Sequence, residues 1–169
     1  MRKSAKIIWI IALSMIAIGG AFLAWHMTHA VRTISEVDSS GTPVATPTFQ
    51  TILPSGKSIS SLGGWHRVSP PGNDPVFAYT DKLAGVPIIV SEQQIPKSFD
   101  GKVSQKVADV AKSYSADDKL TVDGTIVYVG YSLKGPQSVI FTKKNLLILI
   151  RSDALISNTA WGTYVASLT

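Results

Sequence analysis

Few side chains in this chain could perform acid–base chemistry. His66 is the only histidine after residue 29, and a histidine can act as a general base near neutral pH. Asp81 and Glu92 are the carboxylates that could assist it in a hydrolytic site. The three lie on different predicted elements, and no spacing between them marks a nucleophile relay or an acid–base pair. A surface or packing role is therefore the simpler interpretation of His66.

Two clusters contain residue types that bind metals. His26 and His29 are three residues apart, but at the expected membrane interface they are better explained as solvated. Asp117, Asp118 and Asp123 lie together around a turn. A calcium loop needs alternating oxygen ligands ending in a glutamate, which this run does not have. We therefore expect no catalytic, cofactor-binding or metal-binding residues, and no cofactor.

Motifs for nucleophiles and nucleotides are missing as well. After residue 25 the sequence contains neither Ser-x-x-Lys nor Gly-x-Ser-x-Gly, and it has no G-x-G-x-x-G. It contains no cysteine, which excludes disulfides, thiol chemistry and thiolate metal sites. An enzyme of this sequence would need an unfamiliar site.

The net charge of +5 is concentrated near the N-terminus. Four of the 16 basic residues are Arg2, Lys3, Lys6 and Arg32, whereas all 11 acidic residues follow Arg32. The rest of the chain therefore carries 12 basic and 11 acidic residues, a balance of +1. This nearly neutral balance argues against nucleic acid as a partner.

An uncharged apolar stretch of 19 residues runs from Ile7 to Trp25. A helix rises about 1.5 Å per residue, so this stretch reaches roughly across a 30 Å hydrocarbon core. The basic residues before it favour a cytoplasmic N-terminus, because Lys and Arg are retained on that side. We expect a single-pass anchor in the lipid bilayer of the plasma membrane.

This anchor predicts the organisation of the whole chain. Residues 1–6 are expected to form a cytoplasmic tail, 7–25 the anchor, 26–47 a Ser-, Thr- and Pro-rich tether, and 48–169 an extracytoplasmic domain. The alternative is a cleaved signal peptide, for which Thr28-His29-Ala30 would serve as the cleavage site. Under both interpretations the domain lies outside the cytoplasm.

Residue patterns from Thr48 onward predict an α+β domain with an antiparallel sheet of about five to seven strands and two helices. Asp123-Gly124 is typical of a type I′ turn between two strands, and Lys143 and Lys144 are expected in a solvated turn. The run 146–150 is apolar throughout, which indicates a central strand covered on both faces. The expected strands are 48–53, 76–80, 86–91, 120–122, 125–132, 137–142 and 146–150.

The two helices are predicted from apolar residues at helical spacing. The first covers residues 102–114, with Asp100 as its cap, and its stripe is Val103, Val107, Val110, Ala111 and Tyr114. The second follows a cap at Asp153 or Ser157, and its stripe is Trp161, Tyr164, Val165 and Leu168.

Two segments rich in glycine, proline or polar residues are predicted to form an interaction surface. They are the loop 63–75, which Trp65 is expected to fix onto the core, and residues 91–96. The candidate residues on this surface are Trp65, His66, Arg67, Glu92, Gln93 and Gln94.

From Phe49 to the end, the chain resembles a group of uncharacterised bacterial single-pass membrane proteins with a small extracytoplasmic α+β domain. The residues that carry this resemblance are Gly64-Trp65, Ser69-Pro70-Pro71, Ala78-Tyr79-Thr80-Asp81, residues 85–96, Val127-Tyr128-Val129-Gly130 and residues 138–143. The resemblance implies the same topology, and it implies no activity or site residues.

These observations favour a membrane-anchored extracytoplasmic binding or interaction module of the bacterial cell envelope, whose partner is another envelope protein or a ligand. The alternative is a cell-envelope hydrolase with an unrecognised site, which would use His66 with Asp81 or Glu92.

Overall fold

The computed structural model describes residues 45–132 and 135–169. Within them, the helices are α1 (Val103–Ser113) and α2 (Asn158–Ser167), and two short 3₁₀ helices cover Ile59–Leu62 and Lys97–Phe99. The strands are β1 (His66–Arg67), β2 (Phe77–Leu83), β3 (Val86–Gln94), β4 (Asp118–Val122), β5 (Thr125–Ser132), β6 (Gly135–Lys143) and β7 (Leu146–Ser152). The predicted α+β class, with an antiparallel sheet and two α-helices, is confirmed.

The seven strands form one antiparallel sheet in the order β1-β2-β3-β7-β6-β5-β4. After β3 the chain passes through α1 to the far edge of the sheet and returns through β4, β5 and β6. The strand β7 then fills the centre, where it pairs with both β3 and β6. Its side chains enter the cores on both faces, as predicted for the apolar run 146–150.

The larger core lies between α2 and one face of the sheet, which we call the α2 face. Trp161 of α2 is fully buried there among residues from most of the strands. The Oγ of Ser157 accepts a hydrogen bond from Ala160 N at 3.3 Å and caps the helix, so Ser157 and not Asp153 is the cap among the two predicted. The predicted stripe of α2 is confirmed, since Trp161, Tyr164, Val165 and Leu168 are all buried.

A smaller core lies on the opposite face, which we call the α1 face. Val107 and Ala111 of α1 are buried against a group that includes Tyr128, Ile140 and Leu147. The predicted stripe of α1 is therefore confirmed, but its predicted cap is wrong. Asp100 ends the preceding 3₁₀ helix, and α1 begins after Lys102 with no side-chain cap.

The predicted hairpins are confirmed, and their turns are short. Asp123 and Gly124 have φ angles of 48° and 78°, which are the positive values that a type I′ turn requires. Ala84 and Gly85 form the turn between β2 and β3 in the same way, with φ angles of 51° and 81°. This hairpin is longer than predicted, since β2 extends to Leu83 and leaves only two residues for the turn.

The predicted strand at residues 48–53 is wrong. These residues belong to no strand, although Leu53 exchanges backbone hydrogen bonds with Thr169 and Pro54 forms an isolated bridge with Leu168. The segment packs Ile52 into the core of the α2 face instead of joining the sheet. Its apolar residues therefore indicate burial rather than strand pairing.

The predicted tail (1–6), anchor (7–25) and most of the tether (26–47) lie outside the described residues. Within the described ranges, we find no helix with the length and hydrophobicity needed to cross a bilayer.

Candidate functional site

The structure divides the six residues predicted for the interaction surface into two groups. His66, Arg67 and Gln94 are exposed and Gln93 is half-buried. Trp65 and Glu92 lie in the core of the α2 face, where the Trp65 ring meets the rings of Phe77 and Tyr79 edge to face. Trp65 fixes the loop onto the core, as predicted, and neither buried side chain belongs to a surface.

Arg67 shapes the loop 63–75 instead of extending freely into solvent. Its Nε donates to Ser69 Oγ at 3.3 Å, and its Nη2 donates to the Asn73 carbonyl at 3.0 Å. The Ser69 hydroxyl also accepts from Val76 N at 3.0 Å, next to the start of β2. These bonds hold the loop against the sheet and fix the position of its last residues, Asp74 and Pro75.

A cleft of about 410 Å³ lies where the end of this loop meets the residues that follow β3. Phe49, Pro75, Ile95 and Pro96 provide apolar surface in it. The residues that line it are Phe49, Asp74, Pro75, Gln94, Ile95, Pro96, Lys97 and Ser98. The structure thus brings together the two segments from which the interaction surface was predicted, although with a different set of residues.

The cleft carries one charge of each sign. The side chains of Asp74 and Lys97 are both exposed, and within the described ranges neither side chain forms a hydrogen bond or an ion pair. Gln94 adds an exposed amide to the lining. An occupant of the cleft would therefore meet an exposed carboxylate, an exposed ammonium group and the apolar surface of the other lining residues.

Different contacts hold the two walls of the cleft in place. Ile95 N donates to the Asn145 carbonyl at 3.2 Å, and Pro96 precedes the 3₁₀ helix Lys97–Phe99, which turns the chain. On the other wall, the Phe49 ring meets the Phe77 ring edge to face with 5.6 Å between centroids. The cleft is thus built by packing of loop segments onto β2 and β3.

Glu92 is a buried acidic residue of β3, two positions before Gln94 of the cleft. Its side chain is fully buried, and its Oε2 accepts a hydrogen bond from Ile52 N at 3.1 Å. The second oxygen, Oε1, has no hydrogen-bond partner among the described residues. Burial raises the pKa of Glu92 from 4.5 to about 7, because an ionised carboxylate is costly to remove from water.

A second buried polar group lies beside Glu92 on the same face. Tyr164 Oη donates to Asp81 Oδ2 at 3.0 Å, and Lys57 pairs with the other oxygen of Asp81. The Tyr79 hydroxyl is buried next to Tyr164 but makes no hydrogen bond of good geometry within the described chain. Burial raises the pKa of both tyrosines, so both hydroxyls stay protonated at physiological pH.

The residues considered for hydrolysis are not brought together. His66 pairs with Ala78 in the sheet, while Glu92 pairs with Phe77, the adjacent residue of β2. Successive side chains of a strand point to opposite faces, so His66 and Glu92 lie on opposite faces of the sheet. Asp81 lies on the α2 face together with Glu92. Phe77 pairs with Glu92, and Asp81 is four residues after Phe77 on the same strand, so the side chains of Phe77 and Asp81 point to the same face.

Metal-ligand residues are likewise dispersed in residues 45–132 and 135–169, where no three His, Asp or Glu side chains converge. A smaller groove of about 260 Å³ lies between the first turn of α1 and the start of β5. Ser104, Thr125 and Ile126 form part of its lining. It carries no charged side chain and no unpaired buried group.

Sequence reasoning missed the roles of Glu92 and Phe49. A signal for Glu92 was present, since it continues the alternation of Ile88 and Val90 on a strand whose intervening side chains are less buried. No local pattern could have placed Phe49 in the cleft, because its neighbours there come from distant parts of the chain.

No protein-family model, curated protein or solved structure matches this chain.

Proposed function

We propose that this chain is a membrane-anchored extracytoplasmic interaction module of the bacterial cell envelope, and that the cleft between residues 74–75 and 94–98 is its binding surface. The observation that carries the proposal is the convergence of two segments distant in the sequence on one cleft that combines apolar surface with exposed charges of both signs. Its volume of about 410 Å³ falls within the roughly 300–1,000 Å³ typical of ligand sites.

The membrane location is supported by the sequence. The run from Ile7 to Trp25 is long enough to cross a bilayer, and the basic residues Arg2, Lys3 and Lys6 precede it. Retention of these basic residues in the cytoplasm would place the cleft outside the plasma membrane.

The occupant that best fits the cleft is a short peptide segment of another envelope protein. Phe49, Ile95 and the two prolines would cover an apolar side chain, and Gln94 could bond to a peptide group. Asp74 favours a basic residue on one side of that segment, and Lys97 favours an acidic residue on the other. A ligand with one kind of charge would leave one of these two groups unpaired.

Site-specific crosslinking tests this proposal, because a chain without cysteine accepts a single reactive cysteine cleanly. Ser98→Cys places a thiol in the cleft, and Ser113→Cys places one at the exposed end of α1 as a matched control. Each full-length variant would be expressed in its native membrane, labelled with a benzophenone maleimide and irradiated.

We expect the Ser98→Cys variant to crosslink one apolar segment, flanked by charged residues, in one partner protein. The Ser113→Cys variant should not crosslink that segment, and adding Asp74→Asn and Lys97→Gln to the cleft variant should reduce the yield at least tenfold. Identical products from both cysteine positions, or a yield unchanged by the charge substitutions, would disprove the proposal.

Labelling in spheroplasts tests the location. A membrane-impermeant maleimide should modify Ser98→Cys in intact spheroplasts as completely as in lysed ones. Modification only after lysis would place the domain in the cytoplasm and exclude an extracytoplasmic module.

A further inference from the structure

One hydrogen bond ties together the two walls of the cleft. Phe49 belongs to the segment 45–53, while Gln94 and Ile95 follow Glu92 at the end of β3. The bond from Ile52 N to Glu92 Oε2 joins this segment to this strand. Along the chain, Ile52 is three residues after Phe49, and Glu92 is two residues before Gln94.

The segment has few other attachments on the side of Phe49. From Leu53 onward it is held by backbone hydrogen bonds, such as the pair between Leu53 and Thr169. Residues 45–51 form no hydrogen bond with another described residue, and the contact of Phe49 with Phe77 is apolar. The position of Phe49 therefore depends on apolar packing and on the bond between Ile52 and Glu92.

The groups around Glu92 include no cation that would stabilise its ionised carboxylate. From β2, the titratable groups on its face are Tyr79 and, further along, Asp81, and from α2 the titratable group is Tyr164. None of these is a cation, and Lys57 is already paired with Asp81. Residues 48–53 contain no titratable side chain, and the residues of β7 on this face are Leu146, Ile148, Ile150 and Ser152.

We propose that Glu92 is a proton-operated latch for the cleft. With its carboxyl protonated, the side chain stays buried and holds Ile52 through Oε2. When the proton passes from the carboxyl to water, the unpaired carboxylate is drawn toward solvent, Ile52 is released, and the segment that carries Phe49 loosens. The cleft then loses part of its apolar lining. That this changes partner binding rests on the proposed function, whereas the latch itself does not.

Physical chemistry favours such a response near neutral pH. A buried carboxylate with one unsatisfied oxygen and no cation beside it is costly to ionise, and the hydrogen bond from Ile52 N offsets only part of that cost. Burial raises the pKa of Glu92 to about 7, so a change of one pH unit in either direction would change its protonation state.

Hydrogen exchange on the full-length chain in detergent micelles tests the latch directly. The readout is the protection factor of the Ile52 amide between pH 5.5 and pH 8.5, corrected for the intrinsic pH dependence of exchange. Leu53 N, which donates to Thr169 O, serves as the internal reference because it does not contact Glu92. The matched variant is Glu92→Gln, which keeps an acceptor of the same shape and cannot ionise.

We expect the protection factor of Ile52 in the natural chain to fall by roughly tenfold per pH unit between pH 5.5 and about pH 7 and to level off above pH 7, as linkage to one proton requires. The factor of Leu53 should stay constant, and in Glu92→Gln both factors should be independent of pH. An unchanged factor for Ile52 in the natural chain, or an equal fall in the variant, would overturn the latch.

A carbon-13 titration of the Glu92 carboxyl keeps the proposal testable if Glu92→Gln does not fold. A midpoint near pH 7 supports the latch, and a midpoint near the ordinary pKa of 4.5 overturns it. Neither readout involves a partner, so failure of the latch and failure of the crosslinking experiment can be told apart.

Discussion

The Nζ of Lys143 donates to the Val165 carbonyl at a distance of 2.8 Å, and the Ala166 carbonyl lies 3.5 Å from the same nitrogen. The last residue of β6 thus places an ammonium group at the C-terminal end of α2. The final carbonyls of a helix lack partners within it and carry partial negative charge, so a cation at this position stabilises the helix.

Replacing Lys143 with Met should therefore lower the free energy of unfolding by about 1–2 kcal/mol. Lys144→Met is the matched control, because Lys144 is exposed and makes no such bond. Urea denaturation of both variants measures the difference. Equal stabilities would show that the Lys143 ammonium contributes nothing at the end of α2.

Gly130→Ala is expected to be strongly destabilising. A Cβ at this position would lie 2.1 Å from the Ser115 carbonyl oxygen and 2.5 Å from the Ala116 Cα, and both are backbone atoms that cannot turn aside. We expect a loss of about 3 kcal/mol, at the upper end of what overpacking costs.

Gly162→Ala provides the control for that substitution. In α2 the new Cβ would lie 3.8 Å from Val122 Cγ2, an ordinary contact, and alanine favours a helix over glycine by about 1 kcal/mol. We expect Gly162→Ala to raise the melting temperature while Gly130→Ala lowers it. Similar melting temperatures would contradict the close approach of residues 115–116 to β5.

Gln137 links β6 to the start of α2 through one buried oxygen. Its Oε1 accepts from Ile156 N at 2.7 Å and from Trp161 Nε1 at 3.1 Å. Gln137→Leu would leave two buried donors unsatisfied, and we expect it to lower the free energy of unfolding by about 3 kcal/mol. The surface substitution Gln105→Leu on α1 should change it by less than about 0.5 kcal/mol. Chemical denaturation monitored by tryptophan fluorescence compares the two.

Stability should fall as the pH rises toward neutrality, because of Glu92. Its pKa in the folded chain is about 7, against an ordinary value of 4.5, so the unfolded chain loses this proton first. The folded state binds more protons between these two values, which makes the free energy of unfolding decrease through that range and level off above pH 7.

The expected contribution of Glu92 to this loss is about 3 kcal/mol, at about 1.4 kcal/mol for each unit of pKa difference. Denaturation at pH 4.5, 6 and 8 measures it, with Glu92→Gln as the comparison. The two proteins should differ in slope below pH 7, and parallel curves would show that Glu92 is not the group responsible.

The parts of the fold that could be predicted from sequence are those that neighbouring residues determine. The turn at Asp123-Gly124 needs positive φ angles, and glycine preceded by aspartate supplies them. The stripe of α2 follows from helical spacing, and Ser157 lies at the position that caps it. Each of these signals is contained within a few consecutive residues.

The rest depends on partners that are distant in the sequence. Lys143 and Lys144 look alike in a turn, and only the arrival of the C-terminus of α2 distinguishes them. Glu92 looks like the start of an exposed polar stretch, and its burial follows from the packing of residues 49–53 over β3. The cleft could not be predicted for the same reason, because three segments that are separate in the sequence form it.

The placement of β7 has a consequence for how the domain is assembled. Within the sheet, the hairpin of β2 and β3 is joined to the meander of β4 to β6 through this strand, and Val90 of β3 pairs with Ile150, sixty positions later. Such distant pairings slow folding, because a long loop must close before they contribute. In a chain that is synthesised or exported N-terminus first, the edge of β3 that pairs with β7 would stay unpaired until nearly all of the domain was available to fold.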